Sequence, residues 1–319
     1  MMEYQSVPTA GRTCLVTGAC GFLGAALVGE FASAGYRVVG LGREGANGPQ
    51  AMPPGLSTYE QMDLPSRALE GFLSRQHPHV IVHAAGPASV AASVADPFAD
   101  FVGSIVPLYS LLDAVRTHSP DSRLVILSSA AVYGNPRSLP VAEEADPRPM
   151  SPYGFHKQFA EAALEEFARL YGVQCCAARV FSAYGAGLRR QIFWDLCAKA
   201  VTDDVVRLSG TGDETRDFIH ASDVASAVRI LAEKAGMDGD VYNVASGEET
   251  AIRDLAQRLV DRVSPGRAIE FTGDARPGDP LRWRADIRKI ANLGFVPRVS
   301  LNSGVAEYTS WFLEEGERS

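Results

Sequence analysis

The chain has 319 residues, enough for one large domain or two of ordinary size. Its composition, 46% hydrophobic and 21% charged, is that of a globular protein and excludes a disordered or fibrous one. The 38 acidic residues outnumber the 30 basic ones, and the net charge of −8 excludes a surface built to coat nucleic acid or an anionic membrane.

Short apolar runs alternate with helical patterns along the first 180 residues. Buried strands are predicted at 12–16, 36–41, 80–83, 124–127 and 174–180, and helices at about 22–34, 67–76, 104–118 and 153–171. Strands that alternate with helices predict an α/β fold with a doubly wound parallel sheet of Rossmann type, covered by helices on both faces.

After Phe181 the periodicity loosens. Helices are predicted at about 190–202, 223–235 and 303–315, a strand pair within 205–219, and one more strand at 241–244. We expect a main domain at 1–185 and a smaller C-terminal α/β domain at 186–319. Segments within about 216–246 are expected to re-enter the main sheet.

Cysteine usage and apolar run lengths bear on the compartment. The five cysteines include no C-x-x-C pair, so neither disulfides nor a metal site are expected, and reduced thiols are typical of a cytoplasmic protein. The longest apolar runs have the length of a strand. A membrane span needs about 18 to 20 apolar residues, so no membrane partner is expected.

A glycine-rich turn stands between the first strand and the first helix. Gly18, Gly21 and Gly24 follow the spacing G-x-x-G-x-x-G, with Phe22 and Leu23 between them. Glycines at such a turn let the backbone approach a pyrophosphate, which the N–H groups at the helix N-terminus can bind. The turn therefore predicts a dinucleotide cofactor, the alternative being a plain strand–helix turn without a ligand.

The end of the second strand indicates which dinucleotide. An acidic residue at this place would bind the ribose hydroxyls of NAD, but the sequence reads Gly42-Arg43. A guanidinium suits a 2′-phosphate, and a missing carboxylate removes repulsion against it. We therefore predict NADP as the preferred cofactor, with NAD as the second choice. The alternative is that Arg43 only solvates a loop.

Tyr153 and Lys157 are four residues apart on a predicted helix, so both side chains lie on one face. An ammonium beside a phenol favours the phenolate electrostatically, which lets the tyrosine accept and donate a proton. A surface pair at this spacing is commonplace. The glycine turn and the segment Ser128–Gly134 are what favour a catalytic role here.

These motifs together resemble the extended short-chain dehydrogenase/reductase family, in its branch acting on nucleotide-diphosphate sugars. Further matching segments are Asp63-Leu64, His83–Gly86, Arg179–Phe181, Gly210–Gly212, Arg216–Phe218, Asp223–Ala225, Asn243-Val244 and Arg276–Asp279. The resemblance spans nearly the whole chain. It implies a main domain that binds the dinucleotide and a smaller domain that binds the nucleotide sugar. It also implies a homodimer paired through the helix of Tyr153 and its neighbour.

The resemblance assigns roles residue by residue. It implies that Ser129, Tyr153 and Lys157 are catalytic. Besides the glycine turn, Arg43, Tyr153 and Lys157, the implied cofactor contacts are Asp63, Leu64, Ala84, Ala85, Gly86, Ser104 and Phe181. The implied substrate contacts are Ser129, Ser182, Gln191, Arg216, Arg276 and Trp283. For Arg216 a structural ion pair with Asp217 is the alternative, and Trp283 could instead belong to the core.

Departures from the family pattern bear on the reaction. Ala130-Ala131 stands where 4,6-dehydratases carry Asp-Glu, and neither alanine can move a proton. Ser104 and Ser182 replace asparagines of typical 4-epimerases. With NADPH preferred, the sequence predicts reduction of a nucleotide-linked 4-keto-6-deoxy sugar, with the proton supplied by Tyr153. The alternatives are an NAD(P)-dependent nucleotide-sugar 4-epimerase and, more remotely, a non-catalytic NADP-binding scaffold or sensor.

Overall fold

The computed structural model describes residues 11–43, 52–274 and 280–318. The first elements are β1 (Thr13–Thr17), α1 (Phe22–Ser33), β2 (Arg37–Gly42), β3 (Leu56–Gln61), α2 (Ala68–Gln76), β4 (Val80–His83), α3 (Val90–Ala95), α4 (Pro97–His118), β5 (Arg123–Ser129), α5 (Pro152–Tyr171), β6 (Cys175–Val180) and β7 (Ser182–Tyr184). A 3-10 helix (Ala130–Tyr133) follows β5 directly.

The second group of elements fills the C-terminal part. These are α6 (Gln191–Thr202), β8 (Val205–Leu208), β9 (Thr215–Arg216), β10 (Phe218–His220), α7 (Ala221–Lys234), β11 (Asp238–Val244), β12 (Thr250–Ala251), α8 (Ile252–Val263), β13 (Ala268–Phe271), α9 (Arg288–Ala291) and α10 (Leu301–Arg318).

Seven parallel strands form the main sheet in the order β11-β6-β5-β4-β1-β2-β3. This confirms the predicted α/β fold. From β1 the chain continues to β2 on one side, while β4 lies on the other. Ligands of such sheets bind beyond the carboxyl ends of the strands at the point where the order reverses. The glycine turn after β1 and Ser129 at the end of β5 both lie at this edge.

Strand periodicity produces a core on each face of the sheet. In β1, Cys14 and Val16 pack into the cluster that contains α1 and α7, whereas Leu15 packs into the cluster of α2, α4 and α5. Successive side chains of a strand point to opposite faces, so a run of apolar residues is what a doubly covered sheet requires. All three side chains are fully buried.

A third cluster lies in the C-terminal part, where α6, α8 and α10 pack together. Leu196, Leu255 and Tyr308 form its centre. β11 joins the main sheet beside β6, so the chain returns from this part to the large sheet. We keep the division near residue 185 as a proposal.

Several sequence predictions about elements were wrong. α4 begins at Pro97, not near residue 104; Asp96 caps it by accepting from the Ala99 N–H at 2.9 Å. α3 and α8 were not predicted. The predicted strand pair within 205–219 does not form, because β8 pairs with β13, β9 with β12 and β10 with β7.

Helix α4 corrects the expectation about apolar run lengths. Among the described residues it is the one helix long and apolar enough to cross a membrane, with a mean hydropathy of 1.4 over 18 residues. Leu108, Leu111 and Leu112 on this helix are buried in the core against α2 and α5. Core packing thus explains one apolar face. A second apolar face, which includes Phe98 and Tyr109, remains exposed.

Candidate active site

One cleft of about 740 Å³ runs along the carboxyl edge of the sheet. It begins at the glycine turn, passes the ends of β4, β5 and β6, and reaches α6, β9 and the segment around Trp283. Its volume lies within the range of pockets that bury a small molecule. Many of the predicted cofactor-side and substrate-side residues therefore border a single continuous cleft.

The glycine turn has the geometry that a dinucleotide needs. Gly18 has φ +68°, and a Cβ there would lie 2.9 Å from the Cα of Ala85. A Cβ on Gly24 would lie 2.0 Å from the carbonyl oxygen of Gly18. Gly21 caps α1 without a side-chain hydrogen bond, which leaves the N–H groups of the first turn for an anion. Phe22 and Leu23 line the cleft, and the turn as a whole fits a dinucleotide.

The end of β4 forms the adjoining wall. Ala84, Ala85 and Gly86 line the cleft, and the hydroxyl of Thr17 lies 2.8 Å from Nδ1 of His83. Burial, and secondly the positive charge of Lys157, lower the pKa of His83 to about 3. The imidazole is therefore neutral at physiological pH and joins the ends of β1 and β4 as an uncharged group.

Tyr153, Lys157 and Ser129 all line this cleft. Ser151 caps α5 by accepting from the Gly154 N–H at 3.2 Å, which places Tyr153 in the first helical turn. The Lys157 ammonium lies 5.6 Å from the centre of the Tyr153 ring and donates to the carbonyl of Leu127 at 2.9 Å. The structure thus brings together the three predicted catalytic side chains; their roles remain a proposal.

The far end of the cleft contains most of the predicted substrate contacts. Arg216 lies 5.5 Å from the Trp283 ring centre and donates to the Pro280 carbonyl at 2.8 Å. Trp283 Nε1 donates to the carbonyl of Gly134 at 2.9 Å. Ser182 and Gln191 complete this end. The partly buried Trp283 indole lines the cleft beneath the guanidinium and also packs against the core cluster of Tyr133 and Phe181, with its ring centre 5.9 Å from that of Phe181.

Asp217, which follows Arg216 in the chain, stabilises the surrounding loops. The carboxylate of Asp217 is fully buried and accepts hydrogen bonds from the N–H and hydroxyl of Ser246 and from the N–H groups of Gly247 and Ala285. These bonds account for its burial and fix the loops that flank β9. These fixed loops hold β9, and with it the Arg216 guanidinium, at the cleft.

Some predicted contacts lie away from the cleft lining. Arg43 Nε lies 3.8 Å from the carboxylate of Asp63, and their side chains are 69% and 75% exposed. Leu64 is partly buried against the core. Ser104 lines a separate cavity of about 10 Å³ next to Lys157. Arg276 falls outside the described residues.

The cleft also contains residues that the sequence did not single out. They include Ala88, Ser89, Val90, Ala91, Met150, Arg190 and Asp195. The segment 88–91 directly follows the His83–Gly86 match, so its position in the chain was a usable signal. Arg190 lies directly before α6, at the start of the helix predicted near residue 190. Its signal in the sequence was the pair of adjacent arginines that it forms with Arg189. Met150 offered no signal, because a single methionine in a loop has no characteristic spacing.

Residues 14–245 match the NAD dependent epimerase/dehydratase family. The chain belongs to this family. The match confirms the resemblance seen in the motifs. It also shows that the chain is an NAD-dependent enzyme of the epimerase/dehydratase type, which disfavours a non-catalytic scaffold.

Individual members of the epimerase/dehydratase family extend this finding. A UDP-glucose 4-epimerase of Mycolicibacterium smegmatis is 29% identical over 314 residues, covering 95% of this chain and 99% of that protein. The structure of a Thermotoga maritima UDP-glucose 4-epimerase with UDP-glucose superimposes with a TM-score of 0.86 at 26% identity, covering 95% of this chain and 99% of that one. A Bacillus cereus UDP-glucuronic acid 4-epimerase in complex with UDP-glucuronic acid and NAD gives a TM-score of 0.85, also at 26% identity and with the same coverage.

These relatives bear on two sequence predictions. All three are 4-epimerases, which favours the epimerase alternative over the NADPH-dependent ketoreductase. The family is NAD dependent and the Bacillus cereus protein contains NAD, so the predicted preference for NADP has no support among them.

Proposed function

We propose that the protein is an NAD-dependent 4-epimerase of a nucleotide-diphosphate sugar. The observation that carries this proposal is the single cleft, in which Ser129, Tyr153 and Lys157 lie between the glycine turn and Arg216. A dinucleotide on the turn and a diphosphate near Arg216 would place the sugar beside Tyr153. Full-length similarity to 4-epimerases supports the same assignment.

The residues account for the proton chemistry. NAD, when bound, supplies a reversible hydride acceptor for carbon 4 of the sugar. Tyr153 accepts the proton of the 4-hydroxyl as the C–H electron pair leaves, so the alcohol becomes a ketone. Ser129 donates a hydrogen bond to the same oxygen, and the Lys157 charge favours the phenolate. After the ketone presents its other face, the hydrogen returns with its electron pair to carbon 4 and Tyr153 returns the proton to the oxygen, so no net oxidation results.

The same geometry disfavours dehydration. Loss of water from the sugar needs an acid and a base beside the catalytic hydroxyl. Ala130 is fully buried in the 3-10 helix and Ala131 lines the cleft, and neither can transfer a proton. We therefore exclude 4,6-dehydration from the proposed function.

The Arg43–Asp63 pair supports NAD over NADP. A 2′-phosphate brought to Arg43 would also approach the carboxylate of Asp63, 3.8 Å from the guanidinium, and like charges repel. Arg43→Ala should change the Michaelis constant for NAD less than about fivefold, since exposed ion pairs contribute about 0 to 1 kcal/mol. A wild-type preference for NADP that disappears in this variant would restore the original prediction.

We also propose that the partner of the α4–α5 surface is a second copy of the chain. This surface, formed by Phe98, Tyr109, Phe155, Phe159 and Leu170, is exposed although apolar. Large exposed apolar patches on globular proteins mark interaction sites. A twofold axis would pair the patch with itself, as homodimers commonly do.

Product analysis tests the proposed reaction. The purified protein with NAD and UDP-glucose or UDP-galactose should yield a mixture of both 4-epimers, detected by proton NMR of the sugar. Tyr153→Phe serves as the inactive control. Consumption of NADPH with a 4-keto sugar, without interconversion of epimers, would instead identify a ketoreductase.

A further inference from the structure

A buried charged pair lies directly behind the catalytic helix face. Tyr153, Lys157 and Glu161 recur at four-residue spacing on α5, so they share one face. The Glu161 carboxylate accepts from Nε and Nη2 of Arg179 at 2.9 and 2.8 Å. The two side chains are only 8% and 5% exposed. This bidentate pair joins α5 to β6 beneath the site.

One arm of the pair reaches the end of β5. The Ser128 hydroxyl donates to Glu161 Oε1 at 2.5 Å, and Ser128 lies opposite Arg179 in the register of β5 and β6. Ser128 immediately precedes Ser129. The carboxylate thereby fixes the strand end that presents the catalytic hydroxyl against the helix that presents Tyr153 and Lys157.

A second arm holds the 3-10 helix that continues from Ser129. Arg179 Nη1 donates to the hydroxyl of Tyr133 at 2.7 Å and to the carbonyl of Glu143 at 3.0 Å, and its guanidinium lies 4.8 Å from the Tyr133 ring centre. The Tyr133 hydroxyl in turn donates to Asn243 on β11 at 2.7 Å. Both ends of the segment 128–133 are therefore attached to the same guanidinium–carboxylate pair.

We propose that Glu161 and Arg179 are positioning residues that set the place of Ser129 relative to Tyr153 and Lys157. A buried ion pair adds little net stability, because desolvation offsets much of the attraction. What the pair provides over an apolar contact of equal volume is a set of directional hydrogen bonds that fix the positions of its partners. A displacement of about 1 Å at a reacting group can lower turnover about 10²-fold. The proposal rests on the assignment of these three groups as catalytic.

The main test replaces the pair by apolar side chains of similar length. Glu161→Met/Arg179→Met should fold and bind UDP with unchanged affinity in calorimetry, with a lowered melting temperature because the buried Ser128 and Tyr133 hydroxyls each lose a hydrogen-bond partner. Its kcat should fall about 10²-fold with little change in KM. Crystal structures should show a changed distance between Ser129 Oγ and the Tyr153 hydroxyl. Unchanged kcat or an unchanged distance would overturn the proposal.

Two serines at opposite ends of β5 provide a milder matched comparison. Ser128 and Ser122 are both buried; Ser128 donates to Glu161, while Ser122 donates to the carbonyl of Pro78 and also shares a hydrogen bond with the Ser119 hydroxyl. Ser128→Ala should lower kcat about tenfold, and this effect should vanish in the Met/Met background. Ser122→Ala should lower the melting temperature about as much as Ser128→Ala does, but it should leave kcat unchanged.

Equal kinetic effects of the two serine variants would show a purely structural role. If the double variant does not fold, this comparison decides alone. Should the wild type epimerise no nucleotide sugar, the proposed function fails, whereas the measured separation of Ser129 and Tyr153 in wild type and variants still decides the positioning role.

Discussion

Lys157 combines two contacts that keep its charge in place. Its ammonium donates to the Leu127 carbonyl at 2.9 Å and lies 5.6 Å from the centre of the Tyr153 ring. A lysine has three donors, so a single protein acceptor leaves capacity for a bound ligand. The backbone bond restricts a flexible side chain before any ligand arrives, which lowers the entropy lost on binding.

Tyr153→Phe should abolish turnover and leave the fold intact. The substitution removes only the hydroxyl, and a positioned acid–base group contributes about 10² to 10⁴ in rate. Steady-state kinetics should therefore show a fall of at least 10², while calorimetric affinity for UDP-sugar stays within about threefold. A variant with normal turnover would remove Tyr153 from the proposed mechanism.

At the residue scale, sequence spacing predicted the groups whose partners are local. Tyr153 and Lys157 follow from a helical repeat and the glycine turn from its position between β1 and α1, whereas Ser129 follows from the resemblance to the family. The environment of Arg43 did not follow, because Asp63 approaches it from the end of the neighbouring strand, β3. Ser104 lies on α4 as predicted but lines a different cavity, and helical spacing alone does not specify which cavity a side chain lines.

At the element scale, Gly154 fixes how closely α5 approaches the 3-10 helix. A Cβ at this position would lie 2.7 Å from the carbonyl oxygen of Ala131 and 2.9 Å from Cβ of Pro149. Gly154→Ala should therefore shift the start of α5, lowering both the melting temperature and kcat, the latter about tenfold or more.

Gly29 in α1 is the matched control for this substitution. It is also helical, but a Cβ there meets nothing within 4 Å. Gly29→Ala should raise the free energy of unfolding by about 0.5 to 1 kcal/mol through helix propensity alone, with kcat unchanged. Chemical denaturation measures both variants. A stabilised, fully active Gly154→Ala would contradict the close approach.

The neutral His83 between β1 and β4 predicts acid sensitivity. Its folded-state pKa is lowered to about 3, whereas an unfolded histidine titrates near ~6.5. The unfolded chain therefore binds the extra proton first, so stability is present above about pH 6.5 and is lost as the pH falls toward 3. This one group should destabilise the protein by about 2 to 3 kcal/mol at pH 4.5.

His83→Asn removes the titrating group. Urea unfolding at pH 7 and pH 4.5 should show a smaller loss of stability in the variant than in the wild type, by up to about 2 to 3 kcal/mol. Other histidines titrate in both proteins and cancel in the comparison. An identical pH dependence would mean that His83 is not held neutral in the folded protein.

Helices and strands were predictable where the pattern within the segment itself specifies them. The partner of a strand was not predictable, because it depends on a second, distant segment. Five strands of the main sheet, β1, β2, β4, β5 and β6, were predicted within one or two residues, whereas β11 begins three residues before its predicted start and β3 was given no bounds. Helix α8 carries a regular pattern of buried residues, Ile252, Leu255, Ala256, Leu259 and Val260, so it was predictable from the sequence. The pairing of β8 with β13 joins segments about 60 residues apart, and no pattern within either strand specifies that partner.

At the scale of the whole molecule, the exposed apolar face of α4 and α5 predicts a dimer. Phe155 and Phe159 are each 47% exposed, and Leu170 is 70% exposed. Phe159→Glu should convert the protein to a monomer in sedimentation experiments, because two buried carboxylates would face each other across a twofold axis. Val296→Glu is the control, since Val296 is 67% exposed away from this face and should not affect assembly. A wild-type protein that sediments as a monomer would contradict the proposed interface.

The central claim is that the sugar is oxidised and reduced at the same carbon within one cleft. A nucleotide hexose carrying deuterium at carbon 4 tests this most directly, with NMR and mass spectrometry of the product after incubation with the protein and NAD. The account predicts that both 4-epimers form and that each retains the deuterium at carbon 4, without net change in the cofactor. Deuterium found at another carbon, or in cofactor released to solution, would contradict it.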